Sequence, residues 1–146
     1  MATRIAFGSD HAGFSLKAAL MDHAARAGLL VQDFGTFSAD SVDYPDYAHA
    51  VADCVQHGRA ELGVLICGSG NGVSITANRH KGVRAALAWN EEVAQLARAH
   101  NDANIIALPA RFVDQVQAVR ILDAYLNAAF EGGRHQKRVE KIDSGC

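Results

Sequence analysis

Apolar positions along the chain change their period several times, and each change marks an element. Arg4 to Gly8 is a short β-like run, ended by the small and polar residues Ser9-Asp10-His11-Ala12-Gly13. Phe14, Ala18, Met21 and Ala25 then recur at helical spacing with the charged Lys17, Asp22 and Arg26 among them, and Gly28 supplies a stop. Leu29 to Phe34 reads as a second strand and Gly35 to Asp43 as a loop. Tyr44-Pro45 opens a helix that ends near Gly58, because proline fits a first helical turn without losing a needed hydrogen bond. Leu62, Val64, Leu65 and Ile66 form a third strand running into Cys67, then the loop Gly68-Ser69-Gly70-Asn71-Gly72, then a helix from Val73 to about Arg79. Val83 to Ala88 is a fourth strand, and Asn90 caps a helix whose first turn carries Glu91 and Glu92 and which runs to about His100. Ala103 to Leu108 is a fifth strand, stopped by Pro109. Asp114 starts a longer helix with Val116, Val119, Leu122, Leu126 and Phe130 on one side, broken by Gly132-Gly133. The tail from Arg134 to Ile142 is polar and basic, with Val139 and Ile142 its apolar anchors, so alone it would bury little.

Five strands alternating with helices predict an α/β fold: a parallel sheet covered on both faces, joined by right-handed crossovers. No repeat or linker divides residues 1–146, and one domain is expected. Ligands of such sheets gather at the carboxyl ends of strands. The turns after strands one, three, four and five therefore form one candidate site, drawing Asp10, His11, Cys67, the glycine loop, Asn90 and Arg111 toward a common edge.

Composition narrows the partners. A chain of 146 residues can bury a substantial core without disulfide staples, and its net charge of -2, with no long basic run, argues against nucleic acid. The three cysteines, Cys54, Cys67 and Cys146, stand at unrelated spacings without a CxxC pair, which fits a reducing cytoplasm. No run reaches membrane-spanning length and no signal segment opens the chain, so a soluble protein with no membrane partner is expected. The histidines His23, His49, His57, His80 and His135 show no HExxH or paired ligand spacing, and no metal is expected.

Chemistry concentrates at the third strand end. A thiol beside unpaired loop amides is one whose anion those dipoles favour, and a thiolate can be a base or a nucleophile; equally, a cysteine at a strand end can be a small buried hydrophobe. The glycine loop is neither a dinucleotide fingerprint nor a P-loop, lacking the second spacer residue of the one and the lysine of the other. It can be a tight strand-to-helix turn or an oxyanion pocket in which the Ser69 hydroxyl relays a proton. Cys54 lies in a helical pattern and belongs in the core. Arg134 and Arg138 share a face if the tail is helical, a spacing that suits phosphate as well as a solvated basic tail. A cysteine-dependent phosphatase needs arginine six positions after its cysteine, where this chain has Val73. A non-catalytic sugar-phosphate binding module predicts binding without turnover.

Taken together, Ile5-Ala6-Phe7-Gly8-Ser9-Asp10-His11-Ala12-Gly13, Asp43-Tyr44-Pro45, Ile66-Cys67-Gly68-Ser69-Gly70-Asn71-Gly72, His100-Asn101-Asp102-Ala103-Asn104 and Gly132-Gly133-Arg134-His135-Gln136-Lys137-Arg138-Val139 resemble type B ribose-5-phosphate isomerases. That family of sugar-phosphate isomerases also holds galactose-6-phosphate and allose-6-phosphate isomerases. The resemblance implies a three-layer Rossmann-like fold and a homodimer, or a tetramer of two dimers, with active sites shared between subunits. It further implies cofactor-free interconversion of ribose 5-phosphate and ribulose 5-phosphate in the non-oxidative pentose phosphate pathway. The C-terminal helical tail, residues 131–146, would then reach a neighbouring subunit's site, with Arg134 and Arg138 binding phosphate there, helped by His11 and Arg111. The family's base is either a cysteine ending the third strand or a glutamate just after the glycine loop; Cys67, with Val73 at the glutamate position, places the chain in the cysteine class. By the same resemblance, Gly68, Gly70, Asn71 and Gly72 bind substrate, the amides of Ser69 to Gly72 hold the enediolate and Ser69 shuttles protons between its oxygens. His100 opens the sugar ring with help from Asp10, Asn101 positions hydroxyls and Tyr44 walls the pocket.

Overall fold

In a computed structural model, which describes residues 2–145, the chain forms five strands and six helices. In order these are β1 (Arg4–Ser9), a 3-10 turn (His11–Gly13), α1 (Phe14–Arg26), β2 (Leu30–Asp33), α2 (Tyr44–Gln56), β3 (Leu62–Cys67) and α3 (Asn71–Ala77). They continue with β4 (Ala85–Leu87), α4 (Glu91–Asn101), β5 (Ile105–Pro109), α5 (Gln115–Asn127) and α6 (Arg134–Ser144). All pairings are parallel and the strand order is β2-β1-β3-β5-β4, the expected parallel sheet. The order reverses beside β1 and β3, which opens a crevice at their carboxyl ends.

Both faces of the sheet are covered, and alternation along the strands sorts the side chains. Ile5, Phe7, Val64, Ile66, Ile106 and Leu108 pack against α1, α4 and α5, where Leu20, Ala97, Ile121 and Tyr125 complete one core. Ala6, Leu65, Cys67, Ile105 and Ala107 face α2 and α3, with Val51, Cys54, Val73 and Ala77. Cys67 thus sits in line with core residues on the α2–α3 face. The buried Tyr125 hydroxyl donates to the Ala103 carbonyl at 3.0 Å, satisfying the one polar atom that ring carries inside.

Two elements depart from the expected pattern. Lys17, which stood among the charged positions of α1, is only 1% exposed; its Nζ donates to the Thr36 carbonyl and to Asp33 at the end of β2. The tail is helical, but Val139 and Ile142 are not what buries it. Ile142 is 48% exposed, and the buried residue of α6 is His135. The helix rests on α4 of its own chain, and Asp143 Oδ2 accepts the Gly82 amide at 3.0 Å. No described helix is long and apolar enough to cross a membrane.

Candidate active site

β1, β3 and β5 are neighbours in the sheet, and their carboxyl ends share one rim. Hydrogen bonds between the chain segments that leave them fix that rim. The Asp10 amide donates to the Ile66 carbonyl, the Ala110 amide to the Cys67 carbonyl, and the Arg111 amide to the Gly68 carbonyl, at 3.2, 2.9 and 3.0 Å. A pocket of about 500 Å³ lies there, lined by Asp10, His11, Tyr44, Cys67, Gly68, Ser69, Gly72, Arg111 and Phe112.

Each wall follows from local chemistry. Asp10 Oδ1 accepts the Gly13 amide at 3.1 Å, so one carboxylate oxygen is committed to capping the short turn that carries His11. The Val42 amide donates to His11 Nδ1 at 3.2 Å. A neutral imidazole that accepts through Nδ1 carries its proton on Nε2, a donor suited to a phosphate oxygen. Cys67 ends β3 at 5% exposure, its thiol reduced and close to the loop. The Asn71 amide is already given to Ser69 Oγ, at 3.2 Å, which modifies the expected cradle. The amides of Ser69, Gly70 and Gly72 make no hydrogen bond to another described residue and are the ones open to an anion. The Arg111 guanidinium lies over Gly68, where an added Cβ would stand 3.1 Å from Cζ. Across the loop the Tyr44 ring lies on Gly72, leaving 2.4 Å between Cε1 and a Cβ built there.

Asn90 was expected at this rim, but its side chain caps α4 by accepting the Val93 amide at 2.9 Å, and it does not line the pocket. Phe112, 76% exposed at the pocket mouth, belongs to no sequence motif; it follows Arg111 in the turn that leaves β5, within reach of the strand-end rule.

His100, Asn101, Arg134 and Arg138 are not at this rim. α4 runs back from the carboxyl edge, so its last residues lie at the amino edge of the sheet. Arg84, which precedes β4, donates through Nε to the Asn101 carbonyl at 3.2 Å, and the Gly63 amide at the start of β3 donates to the Asn104 carbonyl at 2.8 Å. His100 is therefore separated from its own chain's Cys67 by at least the length of β3, roughly 17 Å. There the His100 ring stacks on that of His135, with centroids 4.1 Å apart and planes 14° from parallel. A Glu131 carboxylate oxygen stands 3.6 Å from His100 Nε2 and 3.7 Å from His135 Nε2. Burial of its ring holds His135 below the ordinary histidine range, as do the neighbouring His100 and Arg134, against the opposing pull of Glu131. One ligand atom from each of His100, Glu131 and His135 falls within 4.8 Å of the others. The lone pairs of two face-to-face rings lie in separate parallel planes, so this arrangement does not converge on a single ion without turning a ring. Arg134 and Arg138 are exposed on α6, on the face of the molecule that carries the stack.

Comparison with known proteins agrees with this architecture. Residues 5–142 match the family model described as Ribose/Galactose Isomerase. Ribose-5-phosphate isomerase B of Escherichia coli K12 is 48% identical over 139 residues, covering 95% of this chain and 93% of the relative. The crystal structure of a ribose 5-phosphate isomerase from Thermotoga maritima superposes with a TM-score of 0.96 at 46% identity, covering 99% of both chains. A ribose-5-phosphate isomerase B from Mycoplasma genitalium, solved with bound ribulose 5-phosphate, gives 0.96 at 44% identity and covers 99% of this chain and 97% of its own.

Proposed function

Because the chain belongs to the ribose/galactose isomerase family, we propose that it interconverts ribose 5-phosphate and ribulose 5-phosphate through an enediolate, without a cofactor. The observation that carries this reading is the floor of the pocket. Among the lining residues the only carboxylate is Asp10, already capping a turn, and Val73 is fully buried where the family's alternative glutamate base would stand. His11 Nδ1 is taken up by the Val42 amide, which turns its other nitrogen to the phosphate, and this supports Cys67 as the group that moves the proton.

The thiolate of Cys67 takes the proton from carbon two, which forms the carbon–carbon double bond of the enediol and puts the electron pair on the carbonyl oxygen at carbon one. The amides of Ser69, Gly70 and Gly72 stabilise that oxyanion. Ser69 passes a proton between the two oxygens, and Cys67 returns its proton to carbon one as the ketone forms at carbon two. His11 and Arg111 take the phosphate from one side. His100, Asn101, Arg134 and Arg138 lie too far from their own Cys67 to contribute, so they act on a neighbouring copy of the chain. There His100 opens the furanose ring, Asn101 orients hydroxyls and the two arginines complete the phosphate grip. A homodimer with exchanged half-sites, alone or paired into a tetramer, follows from this reading.

The test is Cys67→Ala assayed with ribose 5-phosphate. Isomerisation is expected to fall to background while the thermal melt and binding of ribulose 5-phosphate stay near wild type; near wild-type turnover would remove Cys67 as the base. Hexose 6-phosphates present the same reacting end, one carbon further from the phosphate. Side-by-side rates with the ribose, allose and galactose phosphates decide the sugar, and ribose is expected to lead.

A further inference from the structure

Among the buried ionisable side chains that the proposed chemistry does not use, His135 is the one packed against a group that it does use, His100. His135 is 7% exposed, the only buried residue of α6, and its ring lies flat against His100. Three chain segments are shaped to put it there. The Glu131 amide donates to the Ala99 carbonyl at 2.9 Å, which ties the segment after α5 to the last turn of α4. Gly132 and Gly133, at φ of +65° and +54°, then turn the chain into α6. The His135 amide closes that turn on the Gly132 carbonyl at 3.0 Å. The Glu131 carboxylate faces Nε2 of both rings from one side. The stack is where the first turn of α6 meets the last turn of α4, and so where the element bearing Arg134 and Arg138 is held against the element bearing His100.

We infer that His135 is a positioning residue: its buried ring joins His100 of α4 to Arg134 and Arg138 of α6, so that the ring-opening group and the phosphate grip reach a neighbouring site as one rigid unit. This rests on the reading of His100 as the group that opens the ring. A ring that turned freely at the end of α4 would present its nitrogens in many orientations. A stacked one presents a single orientation relative to the arginines, which lowers the entropic part of the ring-opening barrier.

The experiment uses the full chain carrying Cys67→Ala, in which isomerisation is absent, and follows exchange between the two furanose anomers of ribose 5-phosphate by NMR. That exchange requires ring opening but no proton at carbon two. Adding His100→Asn is expected to return exchange to the buffer rate. Adding His135→Ala is expected to slow the enzyme-catalysed part roughly three- to tenfold and to weaken ribulose 5-phosphate binding, the range set by a lost ring–ring contact. Adding His135→Phe, which keeps a ring to stack, is expected to restore exchange to within about twofold; it also separates lost positioning from lost folding. Full exchange with His135→Ala alongside loss with His100→Asn would overturn the positioning role and leave ring opening intact. Full exchange with His100→Asn would instead remove the reading of His100, and the inference with it. Equal losses in His135→Ala and His135→Phe would exclude the stack as the cause.

Discussion

Gly70 and Gly72 occupy the same loop and require glycine for different reasons. Gly70 has φ of +75°, and a Cβ there would meet Leu87 Cδ1 at 2.4 Å and the Leu108 carbonyl carbon at 3.2 Å. Gly72 has ordinary backbone angles, and its obstacle is the Tyr44 ring, which is 40% exposed and has room to swing outward. Gly70→Ala is therefore expected to cost at least about 1–2 kcal/mol of stability, seen as a lower melting temperature. Gly72→Ala is expected to melt near wild type and to lose roughly ten- to a hundredfold in kcat/KM as the pocket wall shifts. Thermal melts and isomerase rates on both variants check the pair, and the reverse pattern would contradict it. The loop was visible in the sequence as a run of glycines, but the neighbours that make each glycine necessary come from β4, β5 and α2, far along the chain. Lys17 escaped for the same reason. Its acceptors, Asp33 and the Thr36 carbonyl, lie 16 and 19 residues away, and helical spacing carries no trace of them.

Elements were legible wherever local pattern and packing agree. Asn90 and Asp114 do cap α4 and α5, accepting the Val93 and Gln117 amides at 2.9 and 2.7 Å. Agreement fails at the C-terminal end of the chain. Apolar spacing carries the α5 pattern on to Phe130, yet the helix stops at Asn127, and the segment that follows is drawn to the Ala99 carbonyl through Glu131. The two apolar residues of α6, Val139 and Ile142, do not announce how it docks, because its one buried side chain is an imidazole. That anchor makes its docking sensitive to acid. His135 sits below the ordinary histidine value of 6.5, so the undocked ring takes up a proton before the docked one does. Docking is accordingly at full strength above that value and weakens as pH falls below it toward the lowered one. Hydrogen exchange of the 134–144 amides, corrected for intrinsic rates, is expected to accelerate between about pH 7.5 and about pH 5.5 relative to α5. His135→Phe should abolish the difference, and an equal acceleration in that variant would place the effect elsewhere.

At the scale of the molecule, the strand order decides which residues can meet. Parallel strands with returning helices send Cys67 and His100 to opposite edges of one sheet, a consequence of topology that several motifs in the right order along the sequence do not reveal. On the shared-site reading, a Cys67→Ala chain alone is inert and a His100→Asn chain alone is held to the slow supply of sugar that opens unaided. Refolded together in equal amounts, they should recover about a quarter of wild-type activity, because half of randomly paired dimers contain one site with both groups intact. No recovery would mean that each chain uses its own residues. The same separation of edges inverts the usual relation between lesion and victim. On that reading a chain carrying both changes damages no site that is wholly its own: it would deny His100 to its neighbour's Cys67 and lack a cysteine for its neighbour's His100 to serve. Paired with healthy chains at equal dose it silences every mixed dimer, leaving about a quarter of full activity instead of half. On the shared-site reading, two defects in cis act dominantly, while the same two defects in trans complement.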